Sequence, residues 1–333
     1  MKTKPMTKFA ILALSLVLVA CAGGGSEEAG CPAIDGREIN VVATTPMIGE
    51  FVSQVGGENI NLTVLMPPEA NPHTYEPAPQ DAGTIAEADL VFYTGLLYEP
   101  AALVKLLENS ACSTDILSEV GESVFPIEFK EGGHDDHDDH DDHDDEEGHD
   151  DHEGHNHGAY DPHFWFDPSR VAYAAEYIES RLIQFDPENE SSYKSSADSF
   201  VSELNDLTKQ VSELISTVPS QNRKLITTHE SLGYLEAKFG LEVLSTIIPS
   251  LNSANEISPS DLAGVIDVIE DNNVKVIFIE SEAPSVYSET IVAETGIKPV
   301  TGLYVETLKP GQSYSEFLIS NVKLITENLQ DTD

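Results

Sequence analysis

Positive charge is scarce in this chain. Lys and Arg together number 17 against 59 Asp and Glu, a formal net charge of −42 over 333 residues. A surface of that sign repels phosphate backbones and excludes nucleic acid as a partner. Cysteine is scarce too: the three, Cys21, Cys31 and Cys112, have no C-x-x-C spacing. That argues against dithiol redox chemistry and against a thiolate zinc site. Catalytic signatures are missing as well. There is no Gly-x-Ser-x-Gly elbow and no Gly-rich phosphate loop. The His-Glu pair that leads into a helical pattern, His229-Glu230, lacks the second His of H-E-x-x-H.

A long apolar run occurs once near the start, at Phe9–Ala20, behind the basic residues Lys2, Lys4 and Lys8. It is too short to span a bilayer comfortably and reads as a secretory leader over residues 1–20. It ends in Leu18-Val19-Ala20-Cys21, which resembles a bacterial lipobox and implies a lipid on Cys21. Residues 21–36 then read as a flexible tether. Export places Cys31 and Cys112 in an oxidising compartment, where they are expected to pair.

Histidine is abundant and unevenly placed. Eight of the 11 (His134, His137, His140, His143, His149, His152, His155 and His157) fall in the tract 131–158, with 14 acids and no Lys or Arg. The tract is too poor in apolar side chains to offset the entropy of ordering, and reads as a loop with weak, multivalent affinity for divalent metals. The remaining three are His73, His163 and His229. Each stands at a junction between segments, so the three are candidates to converge on one ion.

Strand-like and helix-like stretches alternate along the rest of the chain. Strands are expected at 39–43, 61–66, 90–93 and, more weakly, 124–129, with helices at 46–56, 79–88 and 99–109. After Pro219, strands are expected at 225–228, 241–247, 274–280 and 299–303, with helices at 231–239, 259–271, 284–295 and 313–329. The alternation predicts an α/β chain of two Rossmann-like lobes with parallel sheets, 37–186 and 219–333. Between them, 187–218 has no Gly and no internal Pro. Its apolar residues Tyr193, Ala197, Phe200, Leu204, Leu207, Val211, Leu214 and Val218 recur at steps of three and four. That is one rigid linking helix of about thirty residues, about 45 Å long.

His73 follows one strand and His229 ends another, so both sit at carboxyl strand ends, where open α/β sheets bind ligands. A tetrahedral ion would take one more ligand. Glu306 is best placed for it, with Glu280 and Glu282 as competitors.

Three motifs carry a resemblance. Asn71-Pro72-His73-Thr74-Tyr75-Glu76-Pro77, Asp161-Pro162-His163-Phe164-Trp165-Phe166-Asp167-Pro168 and Thr228-His229-Glu230-Ser231-Leu232-Gly233-Tyr234 look like the solute-binding lipoproteins of ABC-type zinc and manganese importers. The acidic His-rich insertion and long helix resemble the zinc (ZnuA-like, TroA-type) branch. The resemblance implies one metal in the inter-lobe cleft, with His73, His163, His229 and Glu306 as ligands. It also implies a membrane permease as partner, and a lipid-anchored monomer at the cell envelope. Three imidazoles and one carboxylate suit Zn²⁺, whereas a manganese site would replace an imidazole with a carboxylate. Imidazole ligands further imply that binding weakens as pH drops through roughly 6.5. Two other classes fit less well. A zinc hydrolase would need the fourth position open to water, which Glu306 fills. A surface adhesin has no residue-level support.

Overall fold

The computed structural model of the chain describes residues 31, 33–34, 36–129, 160–282 and 286–330. The leader, Cys21, the tether up to residue 30 and the eight histidines of the tract lie outside the described residues. The first lobe runs β1 (Ile39–Ala43), α1 (Pro46–Gly56), β2 (Ile60–Val64), α2 (Pro79–Ala86), β3 (Leu90–Tyr93), α3 (Ala101–Ser110), β4 (Leu117–Glu119) and α4 (Pro168–Phe185). A long helix, α5 (Glu190–Ser216), leads out of it. The second lobe runs β5 (Lys224–His229), α6 (Gly233–Phe239), β6 (Glu242–Ile248), α7 (Pro259–Asn272), β7 (Val276–Glu280), α8 (Val286–Thr295), β8 (Lys298–Leu303) and α9 (Tyr314–Gln330).

Both sheets are parallel and share one order, β2-β1-β3-β4 and β6-β5-β7-β8. In each, the chain leaves the first strand on one side and returns on the other. The carboxyl ends of β1 and β3, and of β5 and β7, therefore flank a crevice where a ligand fits. Local sequence starts the helices. Thr45 caps α1 ahead of Pro46, Asp167 caps α4 ahead of Pro168, and Ser258 with Asp261 forms a capping box on α7.

Apolar strand residues alternate between two faces, and each face finds its own partner. Ile39, Val41 and Ala43 of β1 point into a central core, while Val42 belongs to an outer core with Leu103 and Leu107 of α3. The second sheet divides likewise, with Leu225 facing inward and Ile226 packing toward Val265 and Ile269 of α7. The central core is continuous across both lobes. Phe51 of α1 meets Tyr314 of α9 edge to face at 5.2 Å, and Phe166 lies 5.7 Å from Phe317. Continuous packing of this kind resists hinge bending.

Helix α5 has 27 residues, about 40 Å at 1.5 Å per residue. One 3-10 turn, Pro187–Asn189, precedes it. Its buried stripe is the expected one except near the end. Ile215 is buried and Leu214 only half-buried, because the stripe drifts round a straight 3.6-residue helix.

Three other expectations are corrected. Residues 124–129 form no strand. Gly121–Val124 is a 3-10 turn, Phe125 is left-handed at φ 52°, and Pro126 has no N–H for a ladder. The fourth strand is instead Leu117–Glu119, three residues with too little pattern to announce themselves. Helix α3 begins at Ala101 rather than 99, which frees Glu99 to turn inward, and α6 begins at Gly233 rather than 231. A disulfide joins Cys31 to Cys112, just beyond the end of α3.

The drift of the α5 stripe predicts an inversion between neighbours. Ile215→Ala should destabilise the protein by about 2–4 kcal/mol in urea unfolding, and Leu214→Ala by less than half as much. Equal losses would mean that the stripe is placed wrongly.

Candidate metal centre

Each of the three isolated histidines is fixed by a short polar turn. Asn71 Oδ1 accepts the His73 N–H at 2.9 Å and starts the 3-10 turn Pro72–Thr74. Asp161 Oδ1 does the same for His163 N–H at 2.9 Å and also holds His163 Nδ1 at 2.8 Å. The Asp161 carbonyl in turn accepts from the Tyr234 hydroxyl at 2.8 Å. His229 is the last residue of β5, and its Nδ1 bonds to Glu280 at the end of the neighbouring β7. Glu280 is fixed by Ser231 Oγ at 3.2 Å, and its backbone N–H donates to Thr228 Oγ1 at 3.0 Å. With Nδ1 of His163 and of His229 committed to a carboxylate, their Nε2 atoms are left to face one centre.

That centre holds Glu306, which follows β8. Its carboxylate lies 3.1 Å from His73 Nε2, 3.4 Å from His163 Nε2 and 2.9 Å from His229 Nε2. The four ligand atoms fall within 4.8 Å of one another, and His163, His229 and Glu306 are fully buried. The Tyr98 hydroxyl donates to Glu306 Oε2 at 3.0 Å, and Trp165 Nε1 donates to the neighbouring Val305 carbonyl at 2.8 Å. His73, His163, Tyr98 and Trp165 come from the first lobe and His229 and Glu306 from the second, so the cluster spans the cleft.

Of the three candidate carboxylates, only Glu306 lies with the rings. Glu280 holds His229 from behind. Glu282 stands at the edge, its Oε1 3.4 Å from the Glu306 backbone nitrogen and its Oε2 buried without a partner among the described residues. Sequence reading did not find the supporting roles of Asp161, Tyr98 and Asn71. Asp161 carried a signal, standing two residues before His163 as Asn71 does before His73. Tyr98 carried none.

The electrostatics follow from burial. Burial alone would favour neutral Glu306, but the three imidazoles hold its carboxyl well below the usual range. Burial also opposes charge on His163, yet Glu306 and Asp161 outweigh it and push its pKa up to about 9. His229 is raised well above its ordinary value against burial, by Glu280 and Glu306. Burial, then Glu306 and Glu280, push Glu282 up to about 8. The cluster by itself therefore retains protons that a divalent cation would displace. The residues fit such an ion. Among the described residues, His163 Nε2 and His229 Nε2 are buried with no aligned hydrogen-bond partner, as ligand atoms aimed at a shared point would be. Ligand atoms around tetrahedral zinc lie about 3.3 Å apart, close to the 2.9–3.4 Å between the Glu306 carboxylate and the three rings.

Two parallel-sheet lobes joined by a helix, with a buried His₃Glu cluster between them, define a metal-binding substrate-binding protein of the ABC importers. Residues 41–328 match the family model described as zinc-uptake complex component A periplasmic (ZnuA), and the chain belongs to that family. It is 28% identical to the high-affinity zinc uptake system protein ZnuA of Bacillus subtilis (strain 168), over 96% of each chain. It is 26% identical to the manganese ABC transporter substrate-binding lipoprotein PsaA of Streptococcus anginosus, over 98% of this chain and 99% of that one. In fold it is similar to the periplasmic zinc-binding protein TroA from Treponema pallidum. That likeness has a TM-score of 0.74 and 21% identity, covering 88% of this chain and 99% of TroA. Among the described residues, no helix is long and apolar enough to cross a membrane.

Two predictions follow from the charges. The His163 pKa of about 9 moves the expected loss of binding upward from pH 6.5. A protonated ring does not ligate, so affinity should climb about tenfold per pH unit between pH 6.5 and 9 for one displaced proton. Isothermal titration in buffers of different ionisation enthalpy should register that proton. Affinity that is level above pH 7 would sink the idea. In the metal-free protein the sign reverses. The raised His163 pKa adds stability that is full below about 6.5, the unfolded value, and is lost as pH rises through about 9. Separately, Glu280→Gln should weaken metal affinity about 10–100-fold in chelator competition, because His229 loses the carboxylate that orients it.

Proposed function

We propose that the protein is an extracytoplasmic zinc receptor that captures one Zn²⁺ at His73, His163, His229 and Glu306 and delivers it to the permease of an ABC importer. The observation that carries this reading is the convergence of three imidazole Nε2 atoms on one buried carboxylate. Three nitrogens and one oxygen form a borderline set suited to zinc, which has no geometric preference of its own and accepts four ligands. Manganese favours more oxygen. It is the second reading, supported by relatives named for manganese at nearly the same identity as those named for zinc.

Capture exchanges protons for the ion. Glu306 stays ionised among the rings, so the site presents a negative charge to an incoming cation. Asp161 and Glu280 accept hydrogen bonds from Nδ1–H of His163 and His229, fixing the ring orientation in which Nε2 ligates once its proton is displaced. Tyr98 donates to Glu306 and keeps one carboxylate oxygen oriented. Because the core is continuous across the lobes, loading acts on the loops that carry the ligands rather than through wide closure.

The remaining parts of the reading come from sequence. Cys21 carries lipid and holds a monomeric receptor to the membrane, with residues 1–20 removed. The tract histidines, His134 to His157, hold zinc weakly and raise its local concentration for the receptor. The acidic surface leaves no role for nucleic acid.

The test is metal titration by calorimetry and native mass spectrometry on protein beginning after Cys21, with and without residues 131–158. Zinc and manganese would be offered in competition. One tight zinc is expected to survive deletion of the tract and to be lost in His73→Ala and in His229→Ala. Manganese displacing equimolar zinc would overturn the zinc assignment. Loss of all tight binding with the tract would overturn the site.

A further inference from the structure

The four members of the cluster are not held alike. His163 and His229 are buried, and each has a carboxylate on Nδ1. Glu306 is buried under Tyr98. The His73 ring is buried too, at 3% exposure, but among the described residues no carboxylate holds its Nδ1. Its place is fixed from its backbone by Asn71, and Asn71 has a second task. Oδ1 of its carboxamide accepts the His73 N–H at 2.9 Å. Its Nδ2 reaches across the cleft, donating to Ser253 Oγ at 3.1 Å and to the Glu282 carbonyl at 3.3 Å. Ser253 is buried in the loop after β6, and Glu282 lies just past β7. One side chain thus ties the loop of the least-supported ligand to two separate loops of the opposite lobe.

We propose that Asn71 is a positioning residue that sets the lifetime of the bound ion, acting as the latch that keeps the His73 loop against the second lobe. Resting on the reading of the cluster as a metal site, it assigns an order to release. His73 leaves first when the Asn71 contacts break, and the ion remains on His163, His229 and Glu306, open on the side His73 vacated. Charge-assisted bonds on buried rings are stronger than neutral bonds to a carboxamide, so the neutral pair yields first. A partner that draws on the Ser253 loop or on the Glu282 loop would loosen His73 without touching it.

Asn71→Ser isolates the latch. Serine still caps the His73 N–H but is too short to reach Ser253 or Glu282, and it adds no charge. Zinc dissociation into excess chelator would be followed by stopped flow for wild type, Asn71→Ser, Ser253→Ala and the double variant. Thermal unfolding of each metal-free protein would be recorded alongside. Two neutral hydrogen bonds correspond to roughly tenfold faster release in Asn71→Ser, with association within about twofold of wild type and metal-free melting lowered by no more than about a few degrees. Ser253→Ala should accelerate release by a smaller factor, and the double variant should be no faster than Asn71→Ser alone. Wild-type release rates in Asn71→Ser, or additive effects in the double variant, would overturn the latch. So would a fall in metal-free melting larger than the loss of two neutral hydrogen bonds explains. If wild type itself carries no zinc into the experiment, it is the metal site that fails and not the latch.

Discussion

A buried carboxylate among three imidazoles is the constraint on which this molecule depends. Glu306 and the rings come from two lobes, and neither lobe alone balances its own charges. Taking an ionised carboxylate out of water costs several kcal/mol unless partners compensate. Here the compensation comes from His73 and His163 on one side and His229 on the other. The cluster offers four ligand atoms to a cation, and it also gives the lobes a reason to stay together.

The scaffold is built to hold that arrangement still. Phe51, Phe166, Tyr314 and Phe317 carry apolar packing from α1 across to α9, and α5 lies along the same core. The 3-10 turn Phe164–Phe166 ahead of α4 and the first residue of α9 bring aromatic residues that also donate hydrogen bonds, so one contact supplies both burial and direction. Tyr314 OH donates to the Trp165 carbonyl at 2.6 Å, and Trp165 in turn donates to the carbonyl just before Glu306. A stiff frame with polar turns at its inner edge confines movement to the loops. The Asn71 contacts lie in that movable layer.

Much of the fold was legible because period and caps are local. Asp167-Pro168 and Ser258-Pro259-Ser260-Asp261 start helices wherever they occur, and α4 and α7 begin there. The three lone histidines were legible by elimination, since the other eight stand in one tract. What failed was short or ambiguous. Leu117–Glu119 is a strand only because β3 offers an edge, and Pro126 spoils the ladder in the segment that looked more strand-like. Leu214 and Ile215 are adjacent and both apolar, and only the packing of α5 decides which one is buried.

The sequence by itself determined the alternation of strands and helices, the unbroken linking helix, and the identities of the three histidines. These follow from residue spacing, caps and the absence of Gly and Pro, all properties of a few neighbouring positions. Tertiary structure decided which carboxylate does what. Glu280, Glu282 and Glu306 look alike in sequence, each at or after a strand end. Only the register of β7 against β5 puts Glu280 behind His229, and only the chain path after β8 brings Glu306 to the Nε2 atoms. Charge placement depends on distance and burial, and those are set by contacts between residues far apart in the chain.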